Sequence, residues 1–156
     1  MFSHEPDQYA CPFCGLVAGA DLGPDGSNQN DVIYRNEEVT ALVASKWWPN
    51  NKGHVLVIPN AHYENIYDLP PALGAPIQRL ARCVALAMKA AYGCDGVSTR
   101  QHNEPQGGQH VWHYHLHVLP RYSGDLLYLT RGCQSSPHER QPFARKLRKY
   151  LANERR

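Results

Sequence analysis

Three histidines alternate with other residues in the run His113-Tyr114-His115-Leu116-His117-Val118-Leu119-Pro120-Arg121. Alternation in twos is the period of a β-strand, where residues i, i+2 and i+4 share one face. The imidazoles of His113, His115 and His117 are therefore expected on one side, and Tyr114, Leu116 and Val118 on the other. An imidazole with its ordinary pKa near 6.5 is largely neutral at pH 7. It can attack phosphorus without a separate strong base. It can also ligate a metal, so the triad alone admits a metal-dependent hydrolase. Same-face neighbours on a strand stand about 6.5–7 Å apart at the backbone. That spacing lets an ion join two of the three more readily than all three. A surface strand without chemistry is the remaining reading.

Cys11-Pro12-Phe13-Cys14 is a second constellation. Two cysteines separated by two residues bring both thiolates to one ion and supply half of a tetrahedral zinc site. The other two ligands must come from elsewhere in the chain. Without them the pair is simply two buried or redox cysteines.

The triad and its surroundings resemble the signature of the histidine triad (HIT) family of nucleotide-binding hydrolases and transferases. In that signature each histidine precedes an apolar residue and one more apolar residue closes the run. Here those residues are Tyr114, Leu116, Val118 and Leu119. Gly53-His54-Val55-Leu56-Val57-Ile58-Pro59 is similar to the family's preceding strand, and Gly108-Gln109 stands where the family has Gly-Gln. The resemblance runs from about Cys11 to about Asp125.

It implies that His115 is the nucleophile, attacking the α-phosphate of a purine nucleotide. A nucleotidyl-histidine would form and release a nucleoside monophosphate, AMP in the first instance. Dinucleoside polyphosphates and amino-linked AMP compounds are the implied donors. His54, His117 and Gln109 are the implied supports of the developing charge, and Asn103 the implied contact to phosphate or ribose. Asn103, beside Glu104-Pro105, is equally suited to a turn. His102 reads as structural.

Zinc-containing bacterial members of the family, and the related galactose-1-phosphate uridylyltransferases, complete the cysteine pair with two histidines. The resemblance puts these at His62 and His113. Cys11, Cys14, His62 and His113 would then close a structural zinc site, one ion per chain, with no position left for water. The family also implies an α+β fold with a five-stranded antiparallel sheet and one long helix, and a homodimer. A nucleotide-binding module without turnover is the alternative function.

Two departures bear on specificity. His110 follows the motif Gln109 where the family often has Ser or Thr. Ala44-Ser45 follow Val43 where the family often has Asp or Asn for the ribose. Trp47 and Trp48 are positioned to stack on a base or to pack.

The elements that must carry these groups follow from patterning. Residues 19–30 are rich in turn formers and read as a loop. Val32–Arg35 and Val39–Val43 read as strands joined by a tight turn. Residues 47–53 read as a loop and His54–Ile58 as a strand stopped by Pro59. A helix is expected within residues 70–92, where Leu73, Ile77, Leu80, Val84 and Met88 recur at three and four, with Gly93 as its stop. Val97–Gln101 and Val111–Leu119 read as strands, and Arg140–Asn153 as a terminal helix. Strands cluster around one long helix rather than alternating with several, which also argues for α+β with an antiparallel sheet.

The chain has 156 residues, enough for one domain, with a helical extension at about 140–154. Its formal net charge is +2 with histidines neutral. The most basic region is Arg140–Arg156, and no basic stripe in the body suggests nucleic acid. No apolar run approaches a membrane span. The first residues lack the layout of a secretion signal, so a cytoplasmic setting is expected. Five cysteines without such a signal argue against a disulfide framework. Cys83 reads as a small buried hydrophobe; Cys94 and Cys133 carry no assigned role.

Overall fold

A computed structural model describes residues 2–23 and 25–153. Pro24 of the expected loop, Glu154 of the expected extension and the last two residues of the basic tail lie outside the described residues. A short helix α1 (Pro12–Val17) precedes strands β1 (Val32–Arg35), β2 (Val39–Val43), β3 (Lys46–Trp47) and β4 (Val55–Pro59). The long helix α2 (Gly74–Tyr92) leads to β5 (Gly96–Gln101), β6 (Leu116–Arg121), β7 (Cys133–Gln134) and the terminal helix α3 (Pro137–Asn153). Five strands form one antiparallel sheet in the order β1-β2-β4-β6-β5. The fold is α+β with a long helix and a terminal helix, as expected.

The runs Val39–Val43 and Val55–Pro59 are buried at every position. That explains their apolar character: a central strand covered on both faces has no polar side to alternate with, and the one hydroxyl among them, Thr40, donates to the Asn60 side chain at 2.7 Å. On one face Val55, Val57 and Val118 join Ile77, Leu80, Val84 and Met88 of α2 and Leu147 and Leu151 of α3. On the other, Leu42, Leu56 and Ile58 pack against Phe13 and Leu16 of α1. Fully burying side chains such as Val84 and Met88 stabilises the fold by about 1.5–3 kcal/mol each. Gly93 closes α2 with φ +66°, the left-handed stop its sequence position suggests.

Gly53 delivers the chain into His54. Its φ is +78°, and a Cβ there would lie 2.4 Å from the Phe143 ring of α3. Its carbonyl accepts a hydrogen bond from the Tyr92 hydroxyl at 3.2 Å. Only glycine meets both demands.

Several boundaries differ from expectation. The CxxC pair frames a helical turn, with the Cys11 sulfur accepting from the Cys14 amide. Trp47, expected in a loop, is in β3, pairs with Cys133 and is buried edge-on to Phe143. The terminal helix begins at Pro137, three residues early. There Glu139 accepts from the Ser136 amide and hydroxyl while its own amide donates to that hydroxyl, a capping box. Arg140 then forms a fully buried ion pair with Asp31 at 2.9 Å, which docks α3 on the entry to β1. Cys83 is half-buried rather than buried, and Cys94 is buried.

The most consequential difference is the start of β6 at Leu116. Pairing with β4 covers only Leu116, His117 and Val118. Upstream the chain leaves the ladder, and the Tyr114 amide donates to the Tyr63 carbonyl at 2.6 Å instead. His117 is therefore a strand residue, whereas His113 and His115 lie on the approach. Among the described residues no helix is long and apolar enough to cross a membrane.

Candidate active site and metal cluster

His54 and His117 face each other at the joint of β4 and β6. Their Nε2 and Nδ1 atoms are 3.0 Å apart, and the rings stack with centroids 5.2 Å apart. His115 stands edge-on to His117 at 5.0 Å. The Nδ1 of His115 lies 2.7 Å from the carbonyl oxygen of His113. A carbonyl only accepts, so Nδ1 carries the proton and Nε2 keeps the lone pair.

All three rings line a cavity of about 690 Å³, whose wall also includes Phe13, Trp48 and Arg100. Burial lowers the His115 pKa, and that of His117 falls well below the ordinary value because burial is joined by the neighbouring His54 and His115. His54 is brought down to about 3 by burial first and by Arg100 and His115 second. The cluster is therefore a set of neutral imidazoles at pH 7, with lone pairs to give and N–H groups to donate.

His102 and His110 line the same cavity. His102 stands edge-on to His117 at 5.4 Å, while its Nδ1 is bonded to the Gly107 carbonyl at 2.6 Å. It is part of the cavity wall as well as of the loop. His110 occupies the position of the missing Ser or Thr. Of the two tryptophans, Trp48 reaches the cavity and Trp47 does not.

Gln109 and Asn103 are elsewhere. Both halves of the Gln109 amide are used: Nε2 donates to the carbonyls of Glu64 at 2.6 Å and Val111 at 3.0 Å, and Oε1 accepts from the Glu104 amide at 2.9 Å. Asn103 accepts from the Ile66 amide at 2.9 Å and exchanges hydrogen bonds with the Gln101 side chain. Neither lines the cavity. These amides tie loops together behind the site.

His113 turns the other way. Its Nε2 is 2.9 Å from the Pro59 carbonyl and so carries the proton. Its Nδ1 lies 3.3 Å from the Cys11 sulfur and 3.6 Å from that of Cys14. The Nδ1 of His62 is 3.3 Å from the Cys14 sulfur. All four ligand atoms of Cys11, Cys14, His62 and His113 lie within 4.8 Å of one another. Tetrahedral Zn–S and Zn–N bonds of ordinary length predict an S···N edge of about 3.5 Å. The donor set and its spacing fit zinc. Outer partners are present too: Glu5 holds the far nitrogen of His62 at 2.9 Å, as Pro59 holds that of His113. Burial and the adjacent Cys11 raise the Cys14 thiol to about 12; a divalent cation would reverse that, because a coordinating thiol is deprotonated.

Sequence reasoning passed over Arg100 and gave His102 only a structural role. Arg100 pairs with His117 across β5 and β6, a placement visible only once the register is known. His102 immediately precedes Asn103, and its signal was a titratable ring one residue from the chosen one.

The chain matches the family model of the HIT domain over residues 25–124. It is 31% identical over 147 residues to the Protein hit of Bacillus subtilis, covering 92% of this chain and 95% of that one. A crystal structure of a Zn-bound histidine triad family protein from Mycobacterium smegmatis superposes with a TM-score of 0.76 at 31% identity, over 94% of this chain and 96% of that one. The Adenylylsulfatase HINT3 of Arabidopsis thaliana is 26% identical over 125 residues, which are 80% of this chain and 59% of that protein.

Proposed function

The chain belongs to the HIT family, and on that premise we propose that it is a hydrolase or transferase that removes AMP from a phosphoanhydride or phosphoramidate through a nucleotidyl-histidine at His115. One observation carries the reading: the His115 Nδ1 proton is given to the His113 carbonyl, which leaves the Nε2 lone pair on a ring that lines the cavity. That lone pair forms a P–N bond to the α-phosphorus. The bond from phosphorus to the leaving group breaks, and its electron pair stays on the leaving atom. Water then attacks the same phosphorus, the P–N bond breaks, and the imidazole recovers its lone pair as AMP leaves. His54 gives its Nε2 proton to His117 Nδ1 at 3.0 Å and so holds that ring with its Nε2–H free for a phosphoryl oxygen, where fixed donors lower the barrier most.

A catalytic ion shared by the triad is disfavoured, because the free nitrogen of His113 faces the two sulfurs and the Nδ1 of His115 is taken by the His113 carbonyl. We place one zinc per chain among Cys11, Cys14, His62 and His113, where it would hold α1 against the approach to β6. Gln109 and Asn103 act as positioning residues for the loops rather than as contacts to phosphate. A single HIT domain, purine nucleotide substrates, a homodimer and a cytoplasmic setting belong to the same proposal.

The test is to trap the adduct. The enzyme is mixed with an adenylyl donor bearing a fast leaving group, quenched in base and digested. An AMP-sized mass increase on the peptide containing His115 is expected, and none in His115→Ala. Turnover by that variant near the original rate would remove His115 as nucleophile.

A further inference from the structure

Arg100 is placed like a functional group: among the described residues it has aromatic neighbours, Trp48 and Tyr128, but no carboxylate partner. It stands directly opposite His117 in the β5–β6 register, so the two side chains share a face with Cβ atoms about 4.5–5.5 Å apart. Its guanidinium lies 4.4 Å over the Trp48 ring, which in turn lies 5.7 Å from His54. The Arg100 Nε is buried and makes no hydrogen bond. Two other arginines show the usual arrangement. Arg121 binds Asp125 through two nitrogens at 2.6 and 2.9 Å, and Arg140 binds Asp31. Among the described residues no carboxylate comes within 4.0 Å of Arg100. A buried polar atom without a partner is costly unless something arrives to bond it.

The cavity around it has a consistent sign. Lys46, Arg100 and Arg131 line it, and among the described residues no aspartate or glutamate does. Phe13, Leu22, Leu56 and Val111 give the same cavity an apolar portion. A nucleoside suits the apolar portion; the cations call for an anion beyond the α-phosphate.

We infer that Arg100, with Lys46 and Arg131, forms an oxyanion subsite for the leaving group and makes this enzyme select donors whose leaving group is a phosphate or a sulfate. The inference rests on the transfer at His115 proposed above. When the bond between phosphorus and the leaving oxygen breaks, its electron pair adds a negative charge to a group that is already anionic. A planar guanidinium beside His117 meets that charge with paired donors. A leaving amine makes the opposite demand. It needs a proton, and an aminoacyl amine that carries its own positive charge would be repelled by Arg100.

The experiment compares three AMP donors: a dinucleoside triphosphate, adenosine 5′-phosphosulfate and an AMP phosphoramidate of a neutral amine. Each is assayed with the unaltered enzyme, Arg100→Gln and Arg100→Lys. Arg100→Gln should lower kcat/KM on the anionic donors by roughly 10- to 100-fold more than on the phosphoramidate. Arg100→Lys should restore part of that preference, which recovery of a purely structural contact with Trp48 would not do. A selective loss on the phosphate donor alone narrows the subsite to phosphate, and on the phosphosulfate alone to sulfate. An equal loss on all three donors overturns the inference.

Calorimetry separates this from the mechanism it rests on. If the unaltered enzyme turns over no donor, the His115 reading fails, yet the subsite still requires ADP to bind more tightly than AMP and Arg100→Gln to erase the difference. An ADP-to-AMP affinity ratio unchanged by the substitution would also overturn it.

Discussion

His113 and His115 are two residues apart and have opposite chemistry. His113 gives its Nε2 proton to the Pro59 carbonyl and presents Nδ1 to two sulfurs. His115 gives its Nδ1 proton to the His113 carbonyl and keeps Nε2 for the cavity. The ligand and the nucleophile are thus distinguished by which nitrogen the backbone takes. Neither choice is encoded in the residue type. Both depend on carbonyls left free where β6 has not yet joined the sheet: β4 pairs with β6 only through Val57, so the Pro59 oxygen has no strand partner there. The metal cluster and the catalytic cavity are the two sides of one irregular segment.

The sharpest way to break this division is to remove each ring separately. His115→Ala should lower turnover by roughly 10³-fold or more while the metal content of the purified protein stays unchanged. His113→Ala should lose both metal and activity, and His117→Ala should slow turnover yet keep the metal. Elemental analysis that finds the same metal loss in the His113 and His117 variants would revive an ion shared by the triad.

The next largest effect is on stability. Cys11→Ser or His62→Ala should abolish zinc binding, and because metal binding to the folded state adds to folding free energy, both should lower Tm. A loss of about 3 kcal/mol would appear as a fall of roughly 6–12 °C in a chain of this size. Protein purified without chelators and found free of zinc would sink the assignment.

The response to pH tests the cavity side. Burial depresses the pKa of His115 below 6.5, so the neutral, attacking form persists as pH falls through 6.5, and the rate should decline only below it. Stability carries the same sign. His54 titrates at about 3 when folded and near 6.5 when unfolded. Its contribution is full above 6.5 and is lost as pH falls from there towards 3. A rate still rising well below pH 5 would contradict attack by a neutral imidazole.

The smallest effect sharpens the contrast between chemistry and scaffolding. Gln109→Ala removes three hydrogen bonds, one of them fully buried, and should cost about 1–3 kcal/mol of stability. Its kcat at a temperature where the variant is folded should fall far less than that of His115→Ala. A loss in kcat comparable with His115→Ala, at unchanged Tm, would return Gln109 to the phosphate.

Much of this was legible before the structure. The doubly covered β4 announces itself as an unbroken apolar run, β2 as a nearly apolar one broken only by Thr40, and α2 by its spacing of three and four. Resemblance placed Cys11, Cys14, His62 and His113 together, and the structure brings their ligand atoms within reach of one ion. What was not legible depends on register and on competition for hydrogen bonds. Gln109 and Asn103 have amides that suit a phosphate equally well, and only the surrounding carbonyls and amides reveal that they are already occupied. Arg100 is one polar residue in the short run Gly96–Gln101 until pairing puts it beside His117. The helix start was missed although Ser136-Pro137-His138-Glu139 carries a capping signal, because the apolar stripe begins only later.

Phe13 sits between Cys11, which caps α1, and Cys14 within it, and touches both sides of the divided segment: its ring is edge-on to His113 at 5.7 Å and to His115 at 5.5 Å. An ion that orders α1 therefore also fixes one wall of the nucleotide cavity. The two ligands share a thermodynamic cycle, and such a cycle is reciprocal. Whatever factor the ion adds to nucleotide affinity, bound nucleotide must add to the retention of the ion, so a chelator should strip the enzyme more slowly and less completely when its cavity is full.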